Sequence, residues 1–211
     1  CNLSPNNKFG ILEVGMSNSG EIRKLSKLIK PHIGVITNIG EAHIENFKSI
    51  NEIAEAKSEI IENILPGGTM ILNRDDSFYD FLSRKAKSLN LKVISFGKHH
   101  KSDIRLKKII KRNNNSSKIL IAKNNQTIEF EIKDLNIYNV LASIAILEDL
   151  KIDFKSLKSK FKNYEPTEGR GKKHFISRYN KKFKLIDESY NANPLSVKNA
   201  INKLTSIKKK K

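Results

Sequence analysis

Three side chains in the first sixty residues pose a chemical question. Glu13 stands in the apolar run "FGILEVG" (residues 9–15), His43 in "TNIGEAHIENF" (37–47) and Lys57 in "SINEIAEAKSEI" (49–60). At ~100° per residue in a helix, Ile50, Ile53, Ala54, Ile60, Ile61 and Ile64 share one face with Lys57 near its centre. Glu52, Glu55, Glu59 and Glu62 fall on the opposite, solvated face. An ammonium on an apolar stripe must reach out to water, pair with an anion, or be chemically changed. A carbamylated Lys57 would be an oxygen ligand for a hard cation. Joined by a carboxylate and an imidazole, it would make a Mg²⁺ site that phosphate oxygens complete. Two neighbouring strand ends would place Glu13 and His43 beside it, at the sheet edge where open α/β folds bind ligands. The plainer accounts are a lysine stem reaching water and an incidental loop histidine, and both stay open at this level.

Three further tracts carry polar groups at junctions. "LNRDD" (72–76) ends a strand with Asn73 and two acids, which a simple turn with a helix cap would explain. "LNIYN" (135–139) sets Asn136 and Asn139 three apart on a helix, where amides can read a purine base. "IDESYNANP" (186–194) crowds Asp187, Glu188, Ser189, Tyr190, Asn191 and Asn193 at a strand-to-helix junction, with Asn193 as cap and Pro194 at the first helical position. So many polar groups there favour ligand contact over a turn.

These residues need elements to position them. The pattern predicts buried strands at 9–15, 31–40, 67–73 and 91–97. Between them it predicts helices over 19–30, with Ile22, Leu25, Leu28 and Ile29 inward, from the capping box "SINE" (49–52) to about Leu65, and over 76–90. Such alternation implies an α/β fold with a mainly parallel sheet flanked by helices. After His100, "DIRLKKIIKR", "SKILIAK" and "QTIEFEIK" read as a small antiparallel meander. Helices resume over 136–150 and 153–164, and a hairpin turns at 179–182.

Composition narrows the classes. The chain has 211 residues, 38% hydrophobic and 29% charged, enough for a sizeable core. No apolar run approaches the ~20 residues that span a bilayer. The single cysteine, Cys1, excludes an internal disulfide framework and fits a cytoplasmic protein. A net charge of +18 admits nucleic-acid binding, but lysines scatter through every segment and no recognised nucleic-acid module is visible, so no nucleic acid is expected. The chain opens without methionine or a signal peptide, which fits a cut through a longer protein.

Taken in order, "LEVGMSNSGEI", "TNIGEAHIENF", "IAEAKSEI", "LNRDD", Gly169–Arg170 and "ESYNANP" resemble the Mur ligases over nearly the whole chain, most weakly across 101–133. The tract "SYNANP" is similar to the branch that joins D-alanyl-D-alanine to UDP-N-acetylmuramoyl-tripeptide in peptidoglycan synthesis. The resemblance implies a central ATPase domain at 1–163, lacking its phosphate-loop part, and the start of a Rossmann-like C-terminal domain at 164–211. It implies ATP and Mg²⁺, with Glu13, His43 and a carbamylated Lys57 on the metal, and Lys57, His43 and Arg170 as catalytic groups. Asn73, Asn136, Asn139, Arg170, Asp187, Glu188, Tyr190, Asn191 and Asn193 would lie along the nucleotide. It also implies a monomer at full length, without membrane insertion.

Three departures matter. Leu135 stands where the family usually has histidine, Glu188 where many members have a second aspartate, and no Gly-Lys-Ser/Thr phosphate loop occurs in the chain. The last leaves a catalytically dead remnant as one alternative. Another ligase of the same family, such as folylpolyglutamate synthase, is a second, and a basic nucleic-acid-binding module a third.

Overall fold

A computed structural model describes residues 4–41, 44–113, 116–123, 126–133, 136–153, 158–164, 166–190, 197–198, 200–202 and 204. The elements are α1 (Glu21–Ile29), β1 (Ile33–Ile36), α2 (Ile50–Ser58), β2 (Thr69–Asn73), α3 (Tyr79–Ser88) and β3 (Lys92–Gly97). They continue with β4 (Ile104–Asn113), β5 (Ser116–Lys123), β6 (Gln126–Lys133), α4 (Ile137–Asp149), α5 (Lys158–Asn163), β7 (Lys172–Arg178) and β8 (Lys181–Asp187). The fold class matches the expectation. β1 to β6 lie side by side in chain order, parallel through β4 and antiparallel beyond it, and β7–β8 form a separate hairpin.

β2 sits at the centre of the α/β half, and its sequence says why. Thr69, Met70, Ile71 and Leu72 are all buried, as a strand covered on both faces requires. Met70 and Leu72 face a core built with α2, its following 3₁₀ turn (Glu59–Asn63) and α3. Ile71 faces a second core built with α4 and the meander. Each fully buried side chain of this size contributes roughly 1.5–3 kcal/mol. The meander alternates in the same way, burying Ile119, Ile121, Ile128, Phe130 and Ile132 beneath α4, with Phe161 of α5 edge-on to Phe130.

Four expectations need correction. Residues 9–15 form no strand; Ile11 is 96% exposed, and the run pairs with none of the described strands although the outer edge of β1 is open. Leu25 and Leu28 point outward, because α1 packs through Ile22 and Ser26, the latter bonded to Asn63. The helix expected to reach Leu65 is α2 only to Ser58, then tightens to 3₁₀. Glu59 is not solvated. It is 3% exposed and accepts hydrogen bonds from the Gly20 and Arg23 N–H groups, closing the N-terminus of α1.

The hairpin turn falls at Tyr179 and Asn180, both at positive φ, as a two-residue turn requires. The cap at Asn193 and Pro194 lies outside the described residues.

Candidate functional site

The carboxyl ends of β1, β2 and β3 converge with the start of α4, and the tract "LNRDD" fastens them together. Asn73 donates to the Thr37 carbonyl (3.1 Å) and accepts from the Asp75 N–H (3.0 Å). Asp76 accepts from the N–H groups of Ile39 (2.7 Å) and Phe78 (2.9 Å). Asp75 accepts from the N–H groups of Lys98 (2.7 Å) and His99 (2.8 Å) and from the Tyr138 hydroxyl (3.0 Å). Gly97 is required at this crossing, since a Cβ there would lie 2.9 Å from the Asp75 carboxylate. Burial first, and the Asp75 hydrogen bond second, push the Tyr138 phenol up to about 12.

Lys57 reaches this edge from below. The capping box works as expected at the N-terminus of its helix: Ser49 Oγ accepts from the Glu52 N–H, and Glu52 reaches back to the Lys48 N–H. Its stripe buries Ile53, Ala54, Ile61 and Ile64 but leaves Ile50 at the margin. Half-buried on this stripe, Lys57 points its Nζ at the Asn38 carbonyl, 3.1 Å away. Burial lowers the proton affinity of the amine, and the nearby Asp76 charge partly opposes this.

Glu13 and Arg170 form a second group. The Arg170 guanidinium lies 3.8 Å from Glu13 and stacks 4.3 Å from the centroid of the Tyr190 ring. The Glu13 side chain is 83% exposed, so the buried strand expected at 9–15 does not enclose its charge. An exposed pair of this length contributes ~0–1 kcal/mol, which leaves both groups free to meet stronger partners. Arg170 projects from a turn held by Asp187, whose carboxylate accepts from the N–H groups of Gly169 (2.9 Å) and Ser189 (3.1 Å). Hydrogen bonds from Ser189 and Gly169 hold that carboxyl below its ordinary range. Gly169 has a φ of +73° and sits against Tyr190, where a Cβ would lie 2.7 Å away.

The expected residues therefore divide. Asn136 caps α4 through the Tyr138 N–H rather than lying within the helix, which leaves its amide hydrogens outward, and the Asn139 side chain is exposed nearby. Asn73 uses both ends of its amide internally. Glu188 is exposed and has no bonded partner among the described residues. His43, Asn191 and Asn193 lie outside the described residues, as does Leu135. Among the described residues no three His, Cys, Asp or Glu side chains gather as a metal site; the expected trio includes His43, which lies outside them. Sequence reasoning missed Asp75, Asp76 and Tyr138. The available signal was two adjacent acids at the end of a buried strand.

Residues 2–147 match the Mur ligase middle domain, about two-thirds of the chain, and the chain belongs to that family. Over 98% of its length it is 33% identical to UDP-N-acetylmuramoyl-tripeptide--D-alanyl-D-alanine ligase of Rickettsia prowazekii (strain Madrid E), of which it covers 46%. Crystal structure I of MurF from Acinetobacter baumannii superposes with a TM-score of 0.78 at 28% identity, covering 90% of this chain and 41% of that one. MurF of Thermotoga maritima, solved in complex with ADP, shares the fold at a TM-score of 0.71 and 22% identity, covering 90% of this chain and 42% of that one. The chain thus spans less than half the length of these relatives.

Proposed function

We propose that this chain is part of an ATP-dependent amide-bond ligase that joins D-alanyl-D-alanine to UDP-N-acetylmuramoyl-tripeptide for peptidoglycan precursors, acting in the cytoplasm as a monomer. Similarity to the Rickettsia enzyme along 98% of the chain carries this reading. Residues 1–163 would be the central ATPase domain and 164–211 the opening of the next.

The reaction has two transfers. A carboxylate oxygen of the tripeptide attacks the γ-phosphorus of ATP, and ADP leaves. The dipeptide amine then attacks the acyl carbon, phosphate leaves, and the nitrogen gives up one proton to solvent as the amide forms. Asn136 and Asn139 would hold the base, while Asp187 and Glu188 would lie toward the ribose. Glu188 is the freer of those two, because Asp187 is already engaged with Gly169 and Ser189. Asn73, already bonded internally, would support the site by holding the strand ends. Arg170 would meet the phosphates, exchanging Glu13 for a bidentate oxyanion. Tyr190, Asn191 and Asn193 would line the path of nucleotide and dipeptide.

Glu13, His43 and a carbamylated Lys57 would hold Mg²⁺, which when bound offsets charge on the transferring phosphoryl group. The hard oxygen and imidazole donors suit that ion.

The decisive assay incubates the full-length protein with ATP, Mg²⁺ and the tripeptide nucleotide, with or without D-alanyl-D-alanine. Multiple-turnover ADP release is expected only when the dipeptide is present. Release driven equally well by a single amino acid would overturn the specificity proposed here. The 211-residue chain alone, which contains no phosphate-loop string, is expected to turn over negligibly in the same assay.

A further inference from the structure

Asp75 serves neither as a helix cap nor as the partner of a cation. Its carboxylate instead joins three separate elements: the end of β2, the exit of β3 at Lys98 and His99, and α4 at Tyr138. Tyr138 lies between Asn136 and Asn139, and its own N–H fixes the Asn136 side chain. Lys98 Nζ sits 5.5 Å from the centroid of the Tyr138 ring, so the β3 exit and the start of α4 touch at this point and are both tied to one acid.

The structure assigns Asp75 as a positioning residue for the base end of the nucleotide, acting through Tyr138 to hold Asn136 and Asn139. This assignment rests on the nucleotide-binding reading above. The chemistry requires a carboxylate. Three donors converge on it, and an asparagine would turn an N–H₂ group toward at least one of them. Without that anchor the first turn of α4 keeps its helix but loses its fixed register against the β3 exit. A base read by Asn136 and Asn139 would feel the change, whereas phosphates held elsewhere would not.

The test measures calorimetric binding of MgATP and of magnesium tripolyphosphate, which has no base, to the full-length protein. Tyr138→Phe removes one hydroxyl and is expected to weaken MgATP by roughly 3–10-fold, the worth of one hydrogen bond. Tripolyphosphate binding should stay within about twofold of wild type by the same reasoning. Asp75→Asn should produce the same split, and the double variant should be no weaker toward MgATP than Asp75→Asn alone, because both act through one contact. Equal losses for both ligands, no loss for either, or fully additive losses would overturn the assignment. If Asp75→Asn does not fold, the Tyr138→Phe split decides alone. A wild-type protein that binds MgATP no better than tripolyphosphate would instead defeat the nucleotide reading, before any variant is made.

Discussion

The two halves of the candidate site are built on opposite principles. At the carboxyl edge of β1–β3, polar side chains bond across elements that stand on fully buried strands: Met70, Ile71 and Leu72 lie directly below Asn73, Asp75 and Asp76. Around Arg170 the same kinds of bonds rest on a hairpin that, among the described residues, has no fully buried apolar face. Its seven residue pairs leave Phe175 81% exposed, and Phe183 and Leu185 about half exposed. A ladder of hydrogen bonds therefore does not make a scaffold; the apolar face beneath it does. Within this 211-residue chain the half that would read the base stands on buried strands, while the half that would meet the phosphates stands on a hairpin whose described apolar side chains are exposed.

Core truncation gives the largest contrast. Leu72→Ala should cost about 2–5 kcal/mol in denaturant unfolding, through lost transfer energy and a cavity between β2 and its covering helices. In the same 211-residue chain Phe183→Ala, an aromatic change of larger volume, should stay within about 0.5 kcal/mol. Comparable losses at both positions would mean that the hairpin is as well covered as the sheet.

Two aspartates sharpen the comparison at closer range. Asp76 and Asp187 each accept from two backbone N–H groups, at nearly the same distances. Asp76→Ala should cost about 1–3 kcal/mol, because it strands the N–H of Ile39, itself only 9% exposed. Asp187→Ala should leave global unfolding nearly unchanged and show itself as faster amide exchange at Gly169 and Ser189. Protection unchanged at both amides would remove Asp187 as the clamp of the Arg170 turn.

What could be read from the sequence follows the same division. Contacts made within a strand and its own helix were legible: the continuous apolar run of β2, the alternation of the meander, the capping box of α2 and the turn at Tyr179. Contacts that depend on a distant partner were not. The run at 9–15 looks like a buried strand because strand propensity is local, yet the chain leaves it unpaired and Ile11 exposed beside the open edge of β1. Glu59 looks solvated on a helical wheel because nothing local announces that the amides of Gly20 and Arg23 arrive from some 36 to 39 residues earlier. Asp75 was passed over as a turn acid for the same reason, since its donors lie 23 to 63 residues away. The tracts around Glu13, Lys57 and Arg170 identified the family without revealing that Glu13 and Arg170 pair with each other.

Acid titration offers a smaller effect with a definite sign. Glu62 bonds Arg23 and Lys85, and the Arg23 hydrogen bond above all lowers its carboxyl to about 2. A depressed carboxylate contributes stability that is fully present above its unfolded value near 4.5 and is lost as pH falls through the folded value. Wild type should therefore lose stability between about pH 4.5 and 2, and Glu62→Gln should flatten that limb while changing little at neutral pH. A limb of unchanged slope in the variant would place the acid sensitivity elsewhere.

The smallest expected stability effect belongs to the pair closest to the proposed chemistry. Glu13 and Arg170 meet at 3.8 Å with side chains 83% and 52% exposed. Solvent screening and side-chain entropy should reduce their coupling to less than about 0.5 kcal/mol in a double-mutant cycle. Glu13→Gln and Arg170→Gln should then unfold like wild type, singly and together, while in the full-length protein either change should lower the rate of dipeptide-dependent ADP release. A pair that stabilised the fold would trade strength of contact against freedom to turn toward a phosphate or a cation. Silence in unfolding combined with loss in turnover is what distinguishes groups reserved for a ligand from groups that hold the chain together. If the cycle instead returns a coupling of several kcal/mol, Glu13 and Arg170 are structural partners, and the phosphate-side half of the site must be sought elsewhere.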